Sequence, residues 1–234
     1  MSVSQSRNTL LLVGASRGLG YAMAEEFLQR GWNVLGTVRG EARTGFHELS
    51  EKSTGRTEIE TLDITLPDQI SALRSRLAAR KFDMLFVSAG ITNNPLETID
   101  EVSTEEFVRV MVTNALSPMR VVEALYDLVA ADGTVGVMSS GQGSVTNNTS
   151  GKREVYRASK AALNMLMRSF AARHLADRRA LVLMAPGWVR TEMGGPDARL
   201  SIEESVPNVV STLLAARGKP GLRYLDYLGR AVPW

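Results

Sequence analysis

Thr9-Leu10-Leu11-Leu12-Val13 runs directly into Gly14-Ala15-Ser16-Arg17-Gly18-Leu19-Gly20, and the reading of this stretch decides the fold. A short apolar run ended by glycine reads as a buried strand. From Tyr21 to Gln29 the apolar residues return at helical spacing, and Gly31 supplies a stop. The order is therefore strand, glycine-rich turn, helix. Such a turn aims backbone N–H groups and a helix start at one point, and its glycines let the chain approach a pyrophosphate closely. A plain strand-to-helix connection needs similar glycines, but the position directly after the first strand favours the ligand.

The same alternation continues outward. Asn33 to Val38 is a second strand, and Thr57 to Leu62, with its alternating pattern, is a third, ending before Asp63. Pro67 opens a helix running to about Arg80, and Met84 to Val87 is an uninterrupted apolar segment suited to a strand buried on both faces. A long helix is expected from Ser103 to Val129, a strand from Thr134 to Met138, a helix from about Val155 to Ala176 and a strand from Leu181 to Met184. No linker, repeat or composition break interrupts the pattern. It predicts an α/β chain with one doubly wound, mainly parallel sheet, helices on both faces, and a single domain over residues 1–234.

With 44% hydrophobic and 22% charged residues, the chain has material for one large core. The absence of cysteine excludes disulfides and thiolate metal sites and suits a reducing compartment, the cytoplasm being the plain expectation. Arg7 ahead of Leu10 to Val13 imitates the start of a signal peptide, but Gly14 and Arg17 interrupt the apolar run too early. No apolar stretch reaches the roughly 18 residues that span a bilayer. The net charge is +2 with the basic residues interspersed among acids, so no nucleic-acid partner is expected. His47 and His174 lack the acidic or cysteine neighbours of a metal site, and no metal is expected.

The turn is spaced G-x-x-x-G-x-G, and here the chain resembles the short-chain dehydrogenases/reductases. That resemblance implies a Rossmann fold and assigns Gly14, Ser16, Arg17, Gly18, Leu19 and Gly20 to a nicotinamide cofactor. An acid at the end of the second strand would bind the ribose 2′-OH of NAD and repel a 2′-phosphate; this sequence has Thr37, Val38 and Arg39 there. Arg17 is a second cation able to bond the same phosphate. Glu41 can approach the ribose instead, so NAD(H) stays open while NADP(H) is favoured. Asp63-Ile64 resembles the family's adenine contact. Val87-Ser88-Ala89-Gly90 stands where the family usually shows Asn-Asn-Ala-Gly, which leaves Ala89 and Gly90 beside the ribose but puts the sheet-bracing asparagine bonds in doubt.

Reduction of a carbonyl by a nicotinamide needs a positioned acid. In Tyr156-Arg157-Ala158-Ser159-Lys160 the tyrosine and lysine are four apart on a helix, hence on one face, and an ammonium there would favour the phenolate. The strand ending at Met138 leads to Ser139-Ser140, where strand alternation lets one serine face the site; the family's Ser-Ser motif selects Ser140. By resemblance Asn114 is the fourth catalytic position, its side chain helping to hold a water that relays protons to the lysine. Pro186-Gly187, Val189 and Thr191 resemble the family segment that fixes the nicotinamide face, with Thr191 near the phosphates.

The motifs run in the family's order over nearly the whole chain. The Ser139 to Tyr156 connection, the run Arg157 to Asn164, and Leu225-Asp226-Tyr227 with Pro233-Trp234 look like the C-factor and Sniffer-type carbonyl reductase branch. Glu192 to Leu200, with Gly194-Gly195-Pro196, has the composition of a mobile flap, and Met193 and Trp188 would make its inner face apolar. A small aliphatic or aromatic ketone, aldehyde or quinone is the expected substrate. Val108, Met111, Val112, Leu116 and Val121 suggest helix-mediated assembly into a homodimer or homotetramer. The alternative keeps the fold without turnover, as an NADP(H)-binding regulatory or signalling protein.

Overall fold

A computed structural model describes residues 7–234. Its first strand, β1 (Thr9–Val13), shows why this segment is a strand: Leu10 and Leu12 enter one core while Leu11 and Val13 enter the other. Side chains that alternate across a strand buried on both faces must all be apolar. Each of these four contributes about 1.5–3 kcal/mol of burial.

The remaining elements are α1 (Gly18–Gln29), β2 (Asn33–Val38), α2 (Gly45–Lys52), β3 (Thr57–Thr61), α3 (Pro67–Arg76), β4 (Phe82–Val87), α4 (Thr104–Met111), α5 (Ser117–Leu125), β5 (Val129–Met138), α6 (Glu154–Arg173), β6 (Ala180–Ala185), α7 (Ile202–Ala216) and β7 (Gly221–Asp226). The strands form one seven-stranded sheet in the order β3-β2-β1-β4-β5-β6-β7. All of its pairings are parallel, where a mainly parallel sheet was expected. One core holds Leu73, Val121, Leu125, Leu163, Met167 and Phe170 from α3, α5 and α6. The other holds Met23, Phe27, Phe46 and Leu213 from α1, α2 and α7.

Three elements go beyond the expectation from sequence: α2, α7 and β7. The helix expected from Ser103 to Val129 is corrected in two ways. A π-helical turn, Val112–Leu116, interrupts it between α4 and α5, and Val129 already belongs to β5. Helix α3 ends at Arg76, short of Arg80. The sheet order reverses between β1 and β4, and in such sheets ligands collect outside the carboxyl ends of the strands at that switch point.

Candidate active site

At the carboxyl end of β1, Gly14 adopts φ 93°, and a β-carbon there would lie 2.8 Å from the Ala89 nitrogen. A β-carbon at Gly20 would lie 1.9 Å from the Gly14 carbonyl oxygen, so α1 packs onto the turn only because that atom is missing. The turn is pinned by Thr37, which is buried in β2: the Gly14 N–H donates to Thr37 Oγ1 at 3.0 Å, and the Ala15 N–H donates to the Thr37 carbonyl at 2.8 Å. Thr37 is a residue whose structural part the sequence reading missed.

Helix α1 starts with no side-chain cap and no acid in its first turn, whereas α4 and α7 are capped by Ser103 and Ser201. A β-carbon at Gly18 would meet nothing within 4 Å. Uncapped N–H groups beside open, glycine-lined space fit the phosphates of a dinucleotide. Arg39 and Glu41 are exposed just beyond β2. Arg17 is also exposed and pairs with Glu192 at 2.5 Å, so the loop after β6 is tied across the turn. Asp63 Oδ1 accepts from Thr65 N–H and Oγ1, and Ile64 beside it in sequence is buried. Where the family's asparagines are missing, the Ser88 and Ala89 amides both donate to the Val13 carbonyl and tie β4 to β1.

The catalytic candidates gather at the ends of β4 and β5 and on α6. Ser139 is buried and donates to Asn164 Oδ1 at 2.6 Å, and Asn164 Nδ2 donates to the Gly143 carbonyl. Ser140 is the serine on the open side. Its Oγ accepts the Gln142 N–H at 3.1 Å and lies near enough to Tyr156 to act on its phenol. The Ser140 carbonyl accepts from the Tyr224 hydroxyl of β7, a buried residue that the sequence reading missed.

Lys160 is almost fully buried, and its Nζ donates to the Met138 carbonyl at 2.9 Å, 5.8 Å from the Tyr156 ring centroid. Burial lowers its pKa to about 8. Tyr156 is pushed above the ordinary phenol value by burial, while the Ser140 hydrogen bond and the Arg153 charge pull it down.

Asn114 is fully buried in the π-helical turn. Its Oδ1 accepts from the Ile91 N–H, and its Nδ2 donates to the Ile91 carbonyl at 2.8 Å and to Ser159 Oγ at 3.0 Å. Both amide protons are engaged in clamping the loop after β4 to α6. Gly90 sits beside this clamp: a β-carbon there would lie 3.3 Å from Asn114 Oδ1 and 3.5 Å from Lys160 Nζ.

Beyond β6, the Pro186 carbonyl accepts from Ser205 Oγ, Gly187 has φ 88°, and Val189 is buried. Thr191 Oγ1 accepts the Gly194 N–H at 3.1 Å. The Glu192 to Leu200 segment is closed at its base, because Val189 bridges Leu200 and the Leu200 N–H donates to the Trp188 carbonyl. Trp188 and Met193 are partly exposed, and Trp188 Nε1 donates to the Gly194 carbonyl at 2.8 Å. The two histidines are held by packing: His47 Nδ1 caps Thr44, and His174 stacks on Phe170.

A parallel sheet of this order, a glycine turn after β1 and a Tyr-Lys pair at the carboxyl edge define an oxidoreductase of the dinucleotide-binding, Rossmann type. The chain belongs to the short-chain dehydrogenase family, whose profile matches residues 8–199. It is similar to a solved short-chain dehydrogenase/reductase from Burkholderia multivorans with bound NADP, at 66% identity and TM-score 0.96, over 97% of this chain and 100% of that one. The Sniffer carbonyl reductase of D. melanogaster superposes with TM-score 0.88 at 26% identity, over 97% and 100% of the two chains. C-signal of Myxococcus xanthus is 34% identical over 165 residues, 70% of this chain and 99% of that protein. Among the described residues, no helix is long and apolar enough to cross a membrane.

Proposed function

We propose that the protein is an NADP(H)-dependent reductase of small carbonyl compounds, with Tyr156 as the general acid. The observation that carries this reading is the meeting of Tyr156, Ser140 and Lys160 at the carboxyl edge of β5, next to the uncapped glycine turn. Bound NADPH supplies the hydride to the carbonyl carbon. Ser140, its Oγ already accepting from Gln142, has its proton to give to the substrate oxygen, and Tyr156 passes its phenolic proton to that oxygen. A fixed hydroxyl pair also opposes charge building up on oxygen. Lys160, partly neutral near pH 8 and 5.8 Å from the Tyr156 ring centroid, would return a proton toward Tyr156 after reduction and take one up in the oxidative direction.

NADP(H) rather than NAD(H) is the cofactor on this reading. Arg17 and Arg39 offer cations where an acid would read a bare ribose, and the similar Burkholderia chain was solved with NADP. Gly14, Ser16, Gly18, Leu19, Gly20, Asp63, Ile64, Ala89, Gly90, Pro186, Gly187, Val189 and Thr191 complete the contacts, and Asn114 holds the frame. A single domain carries both halves of the site. The substrate is a small ketone, aldehyde or quinone, and the protein works in the cytoplasm as a homodimer or homotetramer. Similarity to C-signal favours one second reading, an NADP(H)-binding signalling protein with little turnover.

Fluorescence titration with NADPH and NADH, followed by NADPH absorbance with ketones, aldehydes and quinones, separates these readings. Tighter NADPH binding with consumption of cofactor is the expected result. Binding without turnover on the whole panel supports the signalling reading, and failure to bind either nucleotide contradicts both.

A further inference from the structure

Arg153 is the sole non-glycine residue with positive φ among those described, at φ 62° and ψ 44°. An L side chain is disfavoured in this left-handed region, where glycine, asparagine or aspartate would sit with less strain. Strain of this kind persists where the surrounding structure over-determines it, and it gathers at functional sites. The place is informative: Arg153 precedes α6 directly, three residues before Tyr156, and its guanidinium carbon lies 5.6 Å from the Tyr156 ring centroid.

The guanidinium is not there to complete an ion pair. Among the described residues no carboxylate pairs with it, and its Nε is buried without a hydrogen-bond partner from the protein. The charged neighbours have other engagements. Glu154 accepts the Ile99 N–H at 3.0 Å, and the Arg157 guanidinium donates to the Lys152 carbonyl and Ser150 Oγ. Lys160 Nζ lies 5.8 Å from the same ring, so two cations flank the phenol. A half-buried, forked donor beside a reacting group is matched by a planar carboxylate, which accepts two parallel N–H bonds. A phosphate dianion would call for more than this one free guanidinium.

We propose that Arg153 recognises a carboxylate on the substrate, so that the compound reduced or oxidised is an oxo-acid or hydroxy-acid with its reacting carbon beside Tyr156. This rests on the reductase reading and narrows its substrate class. Arg153 positions the substrate and takes no part in the transfer of hydride or proton.

The test pairs isosteric acid and neutral probes on the full chain. Wild type, Arg153→Asn and Arg153→Lys are compared for kcat/KM with 4-carboxybenzaldehyde and with 4-formylbenzamide, and for binding of benzoate and benzamide to the NADP⁺-saturated protein. Asparagine tolerates the left-handed backbone, so the variant keeps its fold while losing the charge. The expected result is a preference of wild type for the acid of roughly tenfold or more, as a charge-assisted pair gives. Arg153→Asn abolishes that preference, Arg153→Lys retains part of it, and NADPH binding is unchanged in all three. Equal handling of acid and amide by wild type, or an acid preference that survives Arg153→Asn, overturns the proposal and leaves Arg153 a cation stacked on a ring. If neither aldehyde is turned over, the reductase reading is decided separately, on the whole panel of ketones, aldehydes and quinones. Benzoate binding then decides Arg153: tighter than benzamide in wild type and equal in Arg153→Asn supports it, and equal in both overturns it.

Discussion

Lys160 shows the opposition between stability and chemistry at the scale of one residue. Its pKa falls from 10.5 to about 8 because burial penalises the ammonium. Between those values the unfolded chain binds the extra proton, so stability rises with pH across that window, and the full cost of burial is felt below pH 8. Lys160→Met is therefore expected to stabilise the cofactor-free protein at pH 7 by about 2 kcal/mol, after allowing for the lost bond to Met138. Denaturant titrations at pH 7 and pH 10 check this, since the gain should shrink toward the higher pH. Tyr224→Phe leaves the Ser140 carbonyl without its donor and should cost about 1–2 kcal/mol of stability, measured in the same way. Tyr156 and Lys160 share a helix face at a spacing of four, which is common on helices; they were legible because they stand in the family's order of motifs after Ser139-Ser140. Arg153 was not, since neither spacing nor composition announces a left-handed arginine, and Tyr224 reaches Ser140 from 84 residues away. Asn114 was found as a position, but its bonds to Ile91 and Ser159 depend on how α6 packs against the loop after β4.

Among the elements, the β1-turn-α1 unit carries the tightest constraint. With the Gly14 carbonyl 1.9 Å from a β-carbon at position 20, Gly20→Ala must drive α1 off the turn. The expected cost is about 2–3 kcal/mol of stability together with a large loss of NADPH affinity. Ser201→Ala, which removes the cap of α7, should cost about 1 kcal/mol and leave NADPH affinity unchanged. Thermal melts and NADPH titrations of the two variants separate damage to the site from damage to a helix. This unit and β2 were readable from sequence because strands buried on both faces leave long apolar runs. Helix α7 was hidden by Pro207 within it, although Val206, Val209, Val210 and Leu213 keep helical spacing. The edge strand β7 mixes Arg223 with Leu222 and Tyr224, a weaker signal than a continuous apolar run. The π-helical turn adds a local insertion that a 3.6-residue period cannot reveal, and such turns often mark functional positions.

At the scale of the whole molecule, the sheet order puts every candidate catalytic and cofactor residue on one edge and leaves the outer faces of the helices for other contacts. Of the residues expected at an assembly face, Val121 is fully buried against the sheet, while Val108 is 49% and Leu116 40% exposed. Met165 and Leu166 of α6, which packs against α4, are exposed as well. Light scattering after size exclusion should give a dimer or tetramer, and Val108→Asp with Leu166→Asp should lower the mass; a monomeric wild type would contradict that assembly. The central claim, proton transfer by Tyr156 to a carbonyl reduced by NADPH, rests on one comparison above the others. It is the rate of NADPH oxidation by wild type and by Tyr156→Phe with the same aldehyde, each protein first shown to bind NADPH. The account predicts equal binding and a rate lower by about 10²–10⁴-fold in the variant; a variant that binds NADPH and oxidises it as fast as wild type would contradict it.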